Sequence, residues 1–198
     1  MNSNRFDDKM IKATNLEVTN TDQITRAQKG DPTVVGRLYE RYHLGIYQYL
    51  FYRVSERQTA EDLTSEVFLR MIRALETYQP RLVSFRAWLY QIAHNLVVDY
   101  YRMMSHRNHL QLDEGLLAAK DDPVSEVDHG LTIASLHAAL AKLPEEQRDV
   151  VILRFISGLP IAQVAETLGK SEDAIKGLQR RALTMLRAFL TEREIKYE

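Results

Sequence analysis

The stretch Ile161 to Leu178, IAQVAETLGKSEDAIKGL, carries a spacing with a mechanical meaning. Ala165 is small enough to let two helices approach, Gly169 can take the positive φ of a tight turn, and Ile175 closes the inner face of the second helix. Val164, Leu168, Ile175 and Leu178 point inward and hold the interhelical angle. Ser171 is the expected N-cap of the second helix, with Glu172 and Asp173 at the positive end of its dipole. Lys176, Gln179 and Arg180 then project outward. Arg and Gln make paired hydrogen bonds to guanine and adenine edges, and Lys neutralises phosphate, so the chemistry on offer is DNA reading. A helical hairpin with a solvated basic face has the same spacing.

A second constellation, Phe85 to Arg102 (FRAWLYQIAHNLVVDYYR), mixes Phe85, Trp88, Tyr90, Tyr100 and Tyr101 with Arg86, His94, Asn95 and Arg102. Unstacked bases can lie on such rings while their edges are hydrogen-bonded. Aromatic residues at helical spacing also serve as ordinary core, and Asp99 with Arg102 is an i, i+3 ion pair. Both readings stand on the residues alone.

The elements that must position these groups emerge from periodicity. Leu38, Tyr42, Ile46, Tyr49 and Leu50, then Leu63, Val67, Phe68, Met71 and Ile72, then Leu89, Ile92, Ala93, Leu96 and Tyr100 recur at the helical period. Pro80 forces a loop between the second and third patterns. Residues 108–130 bring together acidic charge, Gly and Pro123, the composition of a linker. Leu136, Leu140 and Leu143 before Pro144, then Val151, Leu153 and Phe155 up to Gly158, resume the helical pattern. The expected organisation is all-α: a polar tail over 1–23, a helical domain over 24–107, a flexible linker over 108–130 and a second helical domain over 131–198.

Composition bounds the function. The 198 residues are 45% hydrophobic and 27% charged, with a net charge of -1. The balance is uneven: residues 26–107 carry 12 Lys/Arg against 8 Asp/Glu, whereas 108–130 carry 1 against 6. Local charge, not the total, decides which surface meets phosphate. Zero Cys excludes disulfides, thiolate nucleophiles and Cys-based zinc sites. Hydrophobic runs stop at four residues, too short for a membrane helix or a signal peptide, which predicts a cytoplasmic protein without membrane insertion. His106 and His109 form HxxH but lack further ligands, and no phosphate loop or hydrolase elbow is present. No metal, cofactor or catalytic group is expected.

Four motifs in order resemble the extracytoplasmic-function sigma factors, the small two-domain type of the sigma-70 family, across 24–190. Ala60 to Phe68 (AEDLTSEVF) is similar to the family's AEDLxQEVF helix, and Phe85 to Arg102 to its FRAWLxxIAxNxxxDxxR block. Leu143 to Arg148 with Leu153-Arg154 resembles LPxxxRxxxxLRxxxG, and the helix-turn-helix comes directly after it. The resemblance implies a region 2 bundle and a region 4 helix-turn-helix. It implies that Glu61, Asp62, Glu66 and Phe68 dock on the clamp helices of the RNA polymerase largest subunit, with the flap as a further core polymerase contact. Arg86, Trp88, Asn95, Asp99 and Arg102 would melt and read the minus-10 element. Ser171, Glu172, Lys176, Gln179, Arg180 and Arg181 would read minus-35. Promoter DNA, core polymerase and an anti-sigma protein are the implied partners. The alternative is a sigma mimic or a helix-turn-helix regulator that binds an anti-sigma protein or DNA without initiating transcription.

Departures from the family pattern mark where borrowing stops. Ser65 replaces the usual Gln of the first motif, Pro160 a common Ser, and Lys170 an often apolar turn residue. Leu178-Gln179 replaces the more frequent Arg-Leu and so alters the base-reading surface.

Overall fold

The computed structural model describes residues 21–80, 82–113 and 129–194. Among them the chain is helical, with no strand. A short helix α1, Thr21–Gln28, comes first. It was not separately legible because eight residues give barely two turns of periodicity, yet Ile24 and Ala27 are buried. The Gln28 side chain donates to the Leu75 and Tyr78 carbonyls at 3.1 and 2.8 Å and ties α1 across the bundle. The polar tail expected over 1–23 therefore gives way to helix from Thr21, and residues 1–20 lie outside the described part.

Helix α2, Pro32–Val54, starts where Asp31 accepts the Thr33 N–H and Pro32 occupies the first turn, where a missing N–H costs nothing. Its buried stripe contains Leu38, Tyr42, Ile46, Tyr49 and Leu50, every member of the expected set, and extends to Val34 and Arg53. Helix α3, Arg57–Ala74, is capped by Glu56, whose carboxylate accepts the Gln58 and Thr59 N–H groups. Ala60, Val67, Phe68 and Met71 face the core, whereas Ile72 is exposed. A 3-10 turn, Leu75–Thr77, leads into the loop expected at Pro80, and α4 runs Phe85–Asp113. The linker expected at 108–130 thus begins as a continuation of α4, and residues 114–128 lie outside the described part.

The second segment is α5 (His129–Ala141), α6 (Glu145–Val151), a π-helical turn (Ile152–Ile156), α7 (Ile161–Leu168) and α8 (Glu172–Glu194). Arg148 explains the Arg of the Leu-Pro motif: it donates to the Leu140, Ala141 and Leu143 carbonyls at 3.0, 3.0 and 3.2 Å, satisfying the orphan acceptors at the end of α5. Leu153 in the π turn is buried while Phe155, two residues on and so about 200° round the helix, is exposed.

Helices α2 and α4 come close at Gly45. A Cβ built there would lie 2.7 Å from the hydroxyl oxygen of buried Tyr90. In an open helix Gly→Ala stabilises by about 0.5–1 kcal/mol. Here Gly45→Ala is expected to destabilise by about 1–2 kcal/mol because overpacking outweighs propensity, as a lower urea midpoint would register.

Candidate functional site

Helix α4 positions the first candidate surface. At 100° per residue, Trp88, Asn95, Asp99 and Arg102 fall within an arc of about 60°. Asn95 and Arg102 are exposed, and Arg102 pairs with Asp99 at 3.2 Å. Trp88 is half-buried, 4.5 Å from the Tyr78 ring and 5.5 Å from that of Phe85, so it is partly core and partly exposed. Beside this stripe a groove between α3 and α4 has Leu63, Leu96, Tyr100 and Met103 as apolar walls and Arg70, Asp99 and Arg102 as polar ones. Arg86 does not join the stripe. It lies about half a turn away on α4, and its Nη2 donates to the Ser157 carbonyl at 2.5 Å.

On α3, Glu61 and Asp62 are exposed and Glu66 is half-buried. Glu61 pairs with Arg57 and Glu66 with Arg70, both at i, i+4, and the Arg70 hydrogen bond holds the Glu66 carboxyl below its usual range. Phe68 departs from the expected docking set: it is 5% exposed and meets Tyr39 edge-on at 4.7 Å. Its contribution is to packing. The large apolar groups that α2 and α3 do present are Tyr39, Leu44, Leu69 and Ile72, all about half-exposed; sequence reading set Ile72 on the inner stripe and did not single out the other three. Their signal was available, since Leu69 and Ile72 lie on the polar flank of the α3 stripe. Ser65 donates its hydroxyl back to the Glu61 carbonyl at 3.1 Å.

The second surface is built on the Gly169 turn. Gly169 has φ +62°, and no atom crowds a Cβ there, so backbone conformation rather than space explains the glycine. Val164 and Ile175 are fully buried, Leu178 is buried and Leu168 half-buried, as the inward set requires. Ser171 Oγ accepts the Ala174 N–H at 3.2 Å and caps α8, with Glu172 exposed beside it. Lys176, Gln179 and Arg180 share one face with Leu183, Thr184 and Arg187, lining a shallow groove. Lys176 pairs with Asp173 at 3.0 Å. Arg181 is exposed but turned about 140° from Lys176, toward Glu146, whose carboxyl it helps to lower after the larger effect of Lys170.

The two segments also pack on each other. Arg53 on α2 is buried against α6, with Nη2 2.9 Å from Glu145 and Nε 3.1 Å from Asp149. The Tyr49 hydroxyl reaches Asp149 at 3.3 Å and His94 at 3.2 Å. Burial pushes the Asp149 carboxyl up, while Arg53 and His94 draw it back. Neither Nε nor Nη1 of Arg53 has hydrogen-bond geometry to a partner, so this buried cation is held by charge more than by directed bonds. Elsewhere between the segments, Ser84 donates to Glu166, Thr167 donates to the Ala87 carbonyl, and α4 lies along α7. The contact covers neither stripe. His106 is exposed, and the His109 side chain lies outside the described part.

The comparisons with known proteins bear on this arrangement. Residues 38–107 match the Sigma-70 region 2 family and residues 139–188 match Sigma-70, region 4. The chain belongs to the extracytoplasmic-function sigma factors of the sigma-70 family. This sigma factor is 40% identical to the ECF RNA polymerase sigma factor BldN of Streptomyces coelicolor over 85% of the chain, and spans 65% of BldN's length. It is 33% identical to SigX of Bacillus subtilis over 76% of the chain and 80% of SigX. CnrH, solved in complex with the cytosolic domain of CnrY, superposes with a TM-score of 0.69 at 25% identity, over 86% of this chain and 96% of CnrH. No helix among the described residues is long and apolar enough to cross a membrane.

Proposed function

We propose that this sigma factor carries core RNA polymerase to promoters bearing two elements, melting and reading the minus-10 element with the α4 stripe and reading the minus-35 duplex with α8. The observation that carries the reading is the pair of separate polar stripes, each on a helix whose opposite face is core. Trp88 offers a ring to an unstacked base, and Asn95 offers an amide edge beside it. Lys176, Gln179 and Arg180 enter a major groove from the helix that succeeds the Gly169 turn. Glu61, Asp62 and Glu66, with Leu69, Ile72 and Tyr39, form the face that meets the polymerase clamp helices. The chain supplies position and recognition, and the polymerase supplies the chemistry. The same two segments suit an anti-sigma protein as a further partner, in keeping with the CnrH–CnrY complex, and the cytoplasm is where such an exchange takes place.

Single-round transcription with purified core polymerase and a library of randomised promoter DNA tests this. Transcripts are expected to share an upstream pair of motifs. Lys176→Ala and Arg180→Ala are each expected to lower use of the upstream motif about 5- to 100-fold, and Asn95→Ala to impair opening without altering that motif. Polymerase binding with no initiation would instead support the mimic.

A further inference from the structure

Gln179 is half-buried, while Lys176 and Arg180 on the same face of α8 are exposed. Arg154, in the π-helical turn, meets Gln179: its Nε donates to the Gln179 side-chain oxygen at 3.2 Å. Arg154 is itself anchored: its Nη1 donates to the Leu159 carbonyl just before α7, and its guanidinium stands 6.0 Å from the Phe155 ring centre. A glutamine free to turn pairs with adenine by accepting from N6 and donating to N7, which requires its oxygen to face the base. In this arrangement the oxygen is engaged by Arg154, and the NH2 group is what remains to meet DNA. The neighbouring cation reinforces the choice, because a guanidinium beside the groove favours base edges that carry acceptors and disfavours the N6 and N4 amino donors.

We propose that Arg154 is a positioning residue that sets base preference by fixing the Gln179 amide, so that Gln179 selects guanine, whose O6 and N7 are both acceptors, over adenine. The proposal rests on the reading of α8 as the minus-35 helix.

The test is the promoter-library transcription assay with reconstituted holoenzyme. The base pair read by Gln179 is the position whose preference flattens in Gln179→Ala. At that position the wild type is expected to favour guanine over adenine by about three- to tenfold. Arg154→Met keeps an unbranched stem but removes the guanidinium and so releases the amide, and is expected to move that one position toward adenine while the others keep their preference. Gln179→Glu retains the Arg154 contact but has no donor, and is expected to abolish the guanine preference. It decides the matter if Arg154→Met does not fold. A wild-type preference for adenine at that position overturns the proposal, as does a guanine preference that survives Gln179→Glu. A uniform loss across all sequences in Arg154→Met overturns it too, since that is the mark of a phosphate contact. If Lys176→Ala, Gln179→Ala and Arg180→Ala all leave the upstream motif unchanged, the minus-35 reading itself fails.

Discussion

Asp149→Ala is expected to destabilise the protein by about 3–5 kcal/mol, because it strands the Arg53 guanidinium in a low-dielectric contact. Arg53 is 2% exposed and Asp149 3%, so water cannot replace the lost partner without opening the contact. Glu145 stays within 2.9 Å of Arg53, but its side chain is 62% exposed and so compensates poorly. Replacing both partners by apolar residues of similar volume removes two buried charges together. Arg53→Met with Asp149→Leu is therefore expected to recover most of the stability that Asp149→Ala loses. Urea unfolding of the wild type, the single variant and the double variant reads both effects. A loss under about 1 kcal/mol in Asp149→Ala, the size typical of an exposed pair, would mean that α2 and α6 stand apart in solution.

That contact also shows what the sequence could and could not disclose. Most of the helices and their inner faces were legible because apolar residues recur at i, i+3, i+4 and i+7, though Ile72 and Leu136 from those patterns are exposed, and the turn at Gly169 was legible because a positive φ leaves few residue types. Nothing local marked Arg53 or Asp149. A buried ion pair joins residues 96 positions apart, and each reads by itself as an ordinary charge on a helix. Arg86 stands apart from the expected set for a related reason. It belongs to the aromatic block by sequence, but helical geometry sets it opposite Trp88 and Asn95, against the Ser157 carbonyl. Phe155 belongs to the apolar run by sequence, but two residues after Leu153 it falls about 200° away on the helix and is exposed. Arg154 drew notice only as part of a motif, since its partner Gln179 arrives 25 residues later.

The α3 face gives the other large effect, and here stability and partner binding should separate. Phe68→Ala removes a side chain that is 5% exposed and packed on Tyr39, and is expected to cost about 3–5 kcal/mol of folding stability. Leu69 and Ile72 are 48% and 51% exposed. Leu69→Ser and Ile72→Ser are expected to leave stability within about 0.5 kcal/mol, as exposed substitutions do, yet to weaken binding to core polymerase. Centrally placed apolar contacts carry much of an interface's energy, so each is expected to cost more than about 1 kcal/mol, or more than about fivefold in Kd. Fluorescence titration of core polymerase with labelled sigma factor, run beside urea unfolding of the same variants, distinguishes the two roles. Should Phe68→Ala keep full stability while losing polymerase affinity, Phe68 would have to leave the core to meet its partner. Should Leu69→Ser and Ile72→Ser bind as the wild type does, the acidic residues Glu61, Asp62 and Glu66 would carry the docking, and added salt would then dissociate the complex steeply, since exposed charge pairs are screened over about 8 Å at physiological ionic strength.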